Sequence, residues 1–132
     1  LMLALKTLVG GARAKALAGG SRRSARTFIF DEIDAGIGGG VAESVGRRLK
    51  RLARDAQVLC VTPLAQIACF ADCHFYVEKF ERAGRTVTAV SPLAGEKERA
   101  GELARMLSGR QITDAALKHA AAMLKQATSA SP

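Results

Sequence analysis

Tryptophan is absent from this chain, and tyrosine occurs once. No aromatic residue lies among the basic residues of 13–26 or 47–54. Neither segment can therefore be a base-stacking platform, which needs rings beside its cations. Long apolar runs are also missing. None approaches the ~20 residues that a membrane-spanning helix requires. Cysteine is sparse and odd in number (Cys60, Cys69 and Cys73), with no disulfide framework, so a reducing cytoplasm is expected. The opening LMLALKTLVGGARAKALAGG lacks a basic start, and Lys6 interrupts its short apolar run. It reads as part of a fold rather than as a secretion leader.

What is present is enough for one domain with a core: 132 residues, 48% of them apolar and 24% charged. The formal charge is +8, which suits a polyanionic partner. It is concentrated in two groups. Arg13, Lys15, Arg22, Arg23 and Arg26 form a stretch without any acid, and Arg47, Arg48, Lys50, Arg51 and Arg54 form the second group. A solvated loop and a wet helix face explain them as well as phosphate contact does.

Leu1 to Val9 reads as the end of an apolar helix, with Leu1, Leu5 and Leu8 on one side and no N-cap before it. Gly10 to Arg26 reads as a flexible loop rich in Gly, Ala, Ser and Arg. Thr27 to Phe30 is a short apolar strand. Val41, Val45, Leu49 and Leu52 recur at helical spacing and predict an amphipathic helix over 40–54. Gln57 to Thr62 is a second strand. Strand, helix and strand within roughly 35 residues signal a parallel βαβ unit. Leu64 to Ala71 predicts a short helix, and 74–79 with 86–90 a hairpin turning at Gly84. Helices are predicted over 96–107 and 113–127, separated by a stop at Gly109 and a start at Thr113 and Asp114. The last residues, 128–132, are expected to fray. No internal repeat is visible.

The stretch that demands explanation is TFIFDEIDAGIGG, residues 27–39. Ligands of open parallel sheets sit beyond the carboxyl ends of the strands, where Asp31 and Glu32 fall. An apolar strand ending in Asp suits a Walker B element, whose Asp holds Mg²⁺ through its water shell. An adjoining Glu can orient or deprotonate an attacking water. The glycines that follow let the backbone turn tightly. Acids capping a strand end in a turn would look the same over so short a stretch.

The order of segments goes further. MLALK (2–6), IFDEIDAGIGG (29–39), VAESVGRRLKRLA (41–53), QVLCVT (57–62), GRTVTAV (84–90) and ERAGELARMLSG (98–109) resemble, in that order, the C-terminal part of the RecN family. These are bacterial DNA double-strand-break repair ATPases with SMC-like, ABC-type heads. The resemblance implies an α/β fold: the C-terminal lobe of a P-loop NTPase head. Such a lobe has a small, mainly parallel sheet flanked by helices, a β-hairpin and C-terminal helices. Residues 1–127 would form one incomplete domain. The resemblance further implies Glu32 as the catalytic glutamate and Asp31 as the Mg²⁺-associated acid. Asp34, Gly36, Gly38 and Gly39 would belong to a loop that crosses to a partner head, with Thr62 and Gln66 near the nucleotide. ATP and Mg²⁺ are the cofactors of the complete family protein. Its implied partners are a P-loop half, a second head in a homodimer, and DNA, in the cytoplasm at the nucleoid and away from membranes.

Two departures matter. The family carries His after the threonine of Thr-His-Leu-Pro-Gln, where this chain reads TPLAQ. Pro63 offers no side-chain hydrogen bond and no backbone N–H. No GxxxxGK[ST] pattern occurs either; VGGARAKALAGGS and GIGGG lack the Lys-Ser/Thr. The chain thus looks like roughly the last quarter of a longer protein and is expected not to bind or hydrolyse ATP alone. A basic, non-catalytic module that docks on partner heads or binds nucleic acid is the alternative. The remaining candidates are weaker. Cys69, Asp72, Cys73 and His74 cluster, yet without the second ligand pair usual for zinc, so buried or half-buried thiols are expected there. Cys60 reads as core, His119 as a surface or packing residue, and Leu103, Met106 and Leu107 as core packing.

Overall fold

The computed structural model describes residues 4–9, 26–31, 33, 36–109 and 111–129. Within them the elements run β1 (Ala4–Val9), β2 (Thr27–Phe30), α1 (Gly39–Leu52), β3 (Gln57–Val61), α2 (Ala65–Ala68), β4 (Cys73–Arg82), β5 (Arg85–Pro92), α3 (Glu96–Ser108) and α4 (Asp114–Ser129). The class is α/β, as expected. One five-stranded sheet has the order β2-β3-β1-β4-β5.

The βαβ unit is present. β2 and β3 pair in parallel, Phe28 beside Val58 and Phe30 beside Cys60, with α1 as the crossover. Two expectations are corrected. The sheet is not mainly parallel, because every other pairing, β3–β1, β1–β4 and β4–β5, is antiparallel. The long crossover that parallel neighbours require is supplied between β2 and β3 by α1. The second correction concerns Leu1 to Val9. Ala4–Val9 is a strand in the centre of the sheet rather than the end of a helix. Thr7 and Val9 are β-branched, and a central strand satisfies its backbone groups on both sides, which outweighs a weak local helix preference. The loop expected over 10–26 lies, apart from Arg26, outside the described residues.

The periodicity of α1 is real, but its buried stripe is offset. Ala42, Gly46 and Leu49 are buried, while Val41 is 58% exposed. Small residues win the inner positions because the helix approaches its neighbours closely. Ala42, Leu49 and Ala53 pack with Val58 and Cys60 of β3 and with Ile67 and Ala71. A second cluster joins Ala65, Ala68 and Phe70 to Leu103 of α3 and to Ala120 and Leu124 of α4, with Met106 and Leu107 packed against it. Though only one turn long, α2 contributes to both clusters and so couples them. Ile29, Leu59, Val61, Val77 and Val90 belong to the other face of the sheet, and none of them is buried.

Local sequence sets the boundaries. Ala83 and Gly84 turn the hairpin with φ of 51° and 73°, the double positive φ of a two-residue I′ loop. Glu98 Oε2 accepts the N–H groups of Ala94 (3.0 Å) and Gly95 (3.4 Å) at the start of α3. Gly109, at φ 77°, ends that helix. Thr113 Oγ1 accepts the N–H of Ala116 at 3.2 Å and caps α4. The helix continues through Ser129, two residues into the tail expected to fray.

Candidate functional site

The site begins where two parallel strands stop together. Register places Phe30 beside Cys60, so Asp31 and Thr62 follow at the same carboxyl edge. Asp31 is exposed. The chain then turns at Gly36, whose φ of 78° suits glycine. Half-buried Ile33 and Ile37 pack against the sheet cluster on either side of that turn. Ile33 and Ile37 therefore tie the chain on either side of Gly36 to the cluster that α1 and β3 form. Gly38 stands at the N-cap of α1 and Gly39 opens it, without a side-chain cap or an acid in the first turn. Glu32 and Asp34 lie outside the described residues.

Thr62 is 1% exposed, and its Oγ1 accepts the N–H of Leu64 at 3.1 Å. The hydroxyl thus fastens the turn out of β3. Between them sits Pro63, exposed. Gln66, in α2, is half-buried. Together with Glu43, Cys69, Phe70 and His119 it lines a cleft of about 130 Å³. Asp31, Gly36, Gly38, Gly39 and Thr62 are thus brought to one end of the sheet, while Gln66 faces the seam between α1, α2 and α4.

Sequence reasoning missed the side of this site away from the strands. Arg47 lies over the Phe70 ring, 5.5 Å from its centroid, and donates to Glu43 Oε1 from Nη2 at 2.7 Å and from Nε at 3.2 Å. Lys50 pairs with Asp72. The basic face of α1 is therefore partly neutralised, by Glu43 one turn before Arg47 and by Asp72, which no local pattern announces.

The Cys-Asp-Cys-His cluster disperses. Cys69 is buried and donates its thiol to the Gln66 carbonyl at 3.4 Å. His74 is buried. Cys73 is exposed, against the expectation of a covered thiol, because it opens β4 at the sheet's end. Among the described residues no three His, Cys, Asp or Glu side chains are grouped to hold a metal ion. His119 is exposed at the rim of the small cleft, and Cys60 is core. No helix among the described residues is long and apolar enough to cross a membrane.

No family model matches the chain. Individual relatives do. A DNA repair protein RecN from Bacillus subtilis is 37% identical over 127 residues, 96% of this chain and 20% of that protein. The RecN of Streptomyces coelicolor is 50% identical over 101 residues, 76% of this chain and 18% of that protein. That of Deinococcus radiodurans is 46% identical over 124 residues, 94% of this chain and 20% of that protein. The chain spans about a fifth of the length of the relatives it matches. It belongs to the RecN family of DNA repair proteins, whose C-terminal part it matches.

Proposed function

We propose that this chain is the Walker B and D-loop lobe of a RecN-type ATPase acting in DNA double-strand-break repair and recombination. The observation that carries the reading is the common carboxyl edge of β2 and β3. There Asp31 and Thr62 end adjacent strands, and a glycine-bearing loop leads into α1. Asp31 fits a role toward Mg²⁺: it is an exposed oxygen donor, and Mg²⁺ keeps most of its waters and takes few protein ligands. Glu32 is assigned the water-activating role, and Asp34, Gly36, Gly38, Gly39, Thr62 and Gln66 the surroundings of the nucleotide.

For ATP itself the residues present do not suffice. Nothing in the chain follows a glycine loop with Lys-Ser/Thr to cradle phosphates. The lobe alone binds no ATP on this reading, and activity requires a P-loop half and a second head. The test is to mix the chain with the P-loop half of a RecN-type protein and follow ATP hydrolysis. Hydrolysis that appears on mixing and vanishes with Glu32→Gln supports the reading. Binding of Mg-ATP by the chain alone, or hydrolysis indifferent to Glu32→Gln, overturns it.

Pro63 and the +8 charge favour a second reading. The chain would then be a non-catalytic module that docks on partner heads or binds nucleic acid. Mixing would in that case yield a complex without turnover.

A further inference from the structure

The hairpin carries a surface that the ATPase reading leaves unused. Across β4 and β5, Phe80 pairs with Val87 and Arg82 with Arg85. Directly paired residues share a face of the sheet, and alternate residues of a strand return to it. All four side chains therefore stand together on one face at the hairpin's end. All are exposed, Phe80 at 42% and Val87 at 37%. Like charges placed opposite each other disfavour a strand pair. Neither guanidinium has an ion pair among the described residues. The nearby acids point elsewhere or lie further in: Glu81 occupies the other face, opposite Thr86, and Glu78 pairs with Ala89.

We propose that this end of the hairpin contacts nucleic acid. Arg82 and Arg85 take backbone phosphates, and Phe80 stacks on an unpaired base. An apolar pair alone would suit a protein. Two opposed guanidiniums beside an uncovered ring suit a strand that offers anions and flat faces alternately. The inference rests on reading the chain as part of a DNA repair protein and adds a contact surface to that reading. It also amends the sequence-level exclusion of stacking, because the hairpin register brings an aromatic residue and two arginines together outside the two basic segments.

The test is fluorescence anisotropy of the 132-residue chain with a labelled oligo-dT of roughly 20 nucleotides and a duplex of equal length, across a salt series. Three variants are compared: Arg82→Ala with Arg85→Ala, Arg82→Lys with Arg85→Lys, and Phe80→Leu. Thermal unfolding of each establishes that it is folded. The double alanine variant should lower the log–log salt slope for oligo-dT by about 1.4, two phosphates at ~0.7 each. The double lysine variant should keep the slope. Phe80→Leu should weaken oligo-dT binding about fivefold or more and affect the duplex less. Equal affinity and slope for the parent and all folded variants would overturn the hairpin contact and leave DNA binding intact. Absence of binding by the parent would overturn the hairpin contact and the DNA-binding reading together, while the ATPase test stands apart. Loss of binding to polyglutamate but not to oligo-dT in the alanine variant would identify an acidic protein as occupant and would also overturn the proposal.

Discussion

Gly46 of α1 lies against the edge of the Phe70 ring with no room for a methyl group between them. A Cβ at position 46 would overlap the ring and stand 3.1 Å from the Gln66 carbonyl oxygen. Alanine ordinarily strengthens a helix by about 1 kcal/mol over glycine. Here the overlap should win, because close-packed cores resist added volume at about 1–3 kcal/mol. Gly46→Ala is expected to lower the urea midpoint with an unchanged slope. Pairing it with Phe70→Leu should recover part of the loss.

Arg105 grips Glu102 with two bonds, Nε to Oε2 and Nη2 to Oε1, each 2.6 Å. The carboxylate is almost wholly buried. These bonds raise the Arg105 pKa, against the smaller opposing effect of burial. Arg105→Ala strands a buried charge and should cost about 3–5 kcal/mol, as broken buried pairs do. Arg105→Lys keeps the charge but loses the fork, so it should rescue only part. Denaturant unfolding of the two variants orders them.

Tyr76 lies beneath the Arg105 guanidinium, 5.8 Å from ring centroid to Cζ. Burial raises its pKa, Glu78 and Glu102 add to the rise, and Arg105 opposes it. The folded value is above the unfolded one of about 10. Its contribution to stability is therefore full below that pH and is lost as pH rises through the folded value. With one tyrosine and no tryptophan in the chain, ultraviolet titration of the phenolate reads this group alone. Native protein should titrate at higher pH than protein in guanidinium, and Tyr76→Phe should flatten the alkaline fall in stability.

The hairpin holds Ala83 at a φ of 51°, a conformation that L-residues other than Asn and Asp adopt at about 1–2 kcal/mol. Ala83→Asn should therefore raise the melting temperature, by an amount equivalent to about 0.5–1 kcal/mol. Ala83→Val should lower it. Neither changes the charge of the hairpin end, so both should leave the salt slope of oligonucleotide binding unaltered.

Pro63 separates Thr62 from Leu64 in the turn that Thr62 fastens. In heads completed with a P-loop half, Pro63→His should raise ATP turnover by about tenfold or more, the scale of one well-placed donor. Unchanged turnover would remove this position from the catalytic argument.

Much of the fold was legible because its signals are local. Two short apolar strands flank a helical period, a glycine sits in a two-residue turn, and Gly109 and Thr113 mark adjacent helix ends. ALKTLV was misread because a short, largely apolar segment fits a helix or a strand equally well, and the choice depends on strands β3 and β4, much further along the chain. The inward turn of Ala42 and Gly46 in place of Val41 depends on β3, α2 and Phe70, which lie further along the chain. At the candidate site, the strand-end position of Asp31 and the turn at Gly36 follow from the residues themselves. The bond from the Leu64 N–H to Thr62 is equally local, but the burial of Thr62 depends on three-dimensional packing. Arg47 over Phe70 belongs to the same class.

Among the described residues β2 stands at the sheet's edge, with Ile29 72% exposed. An open edge with apolar side chains is a template for another strand. Encounters between copies grow with the square of concentration, whereas folding of a single copy does not depend on it. The recoverable yield of this chain should therefore fall steeply as expression level rises, even where its melting temperature stays constant. Ile29→Lys should relieve that dependence.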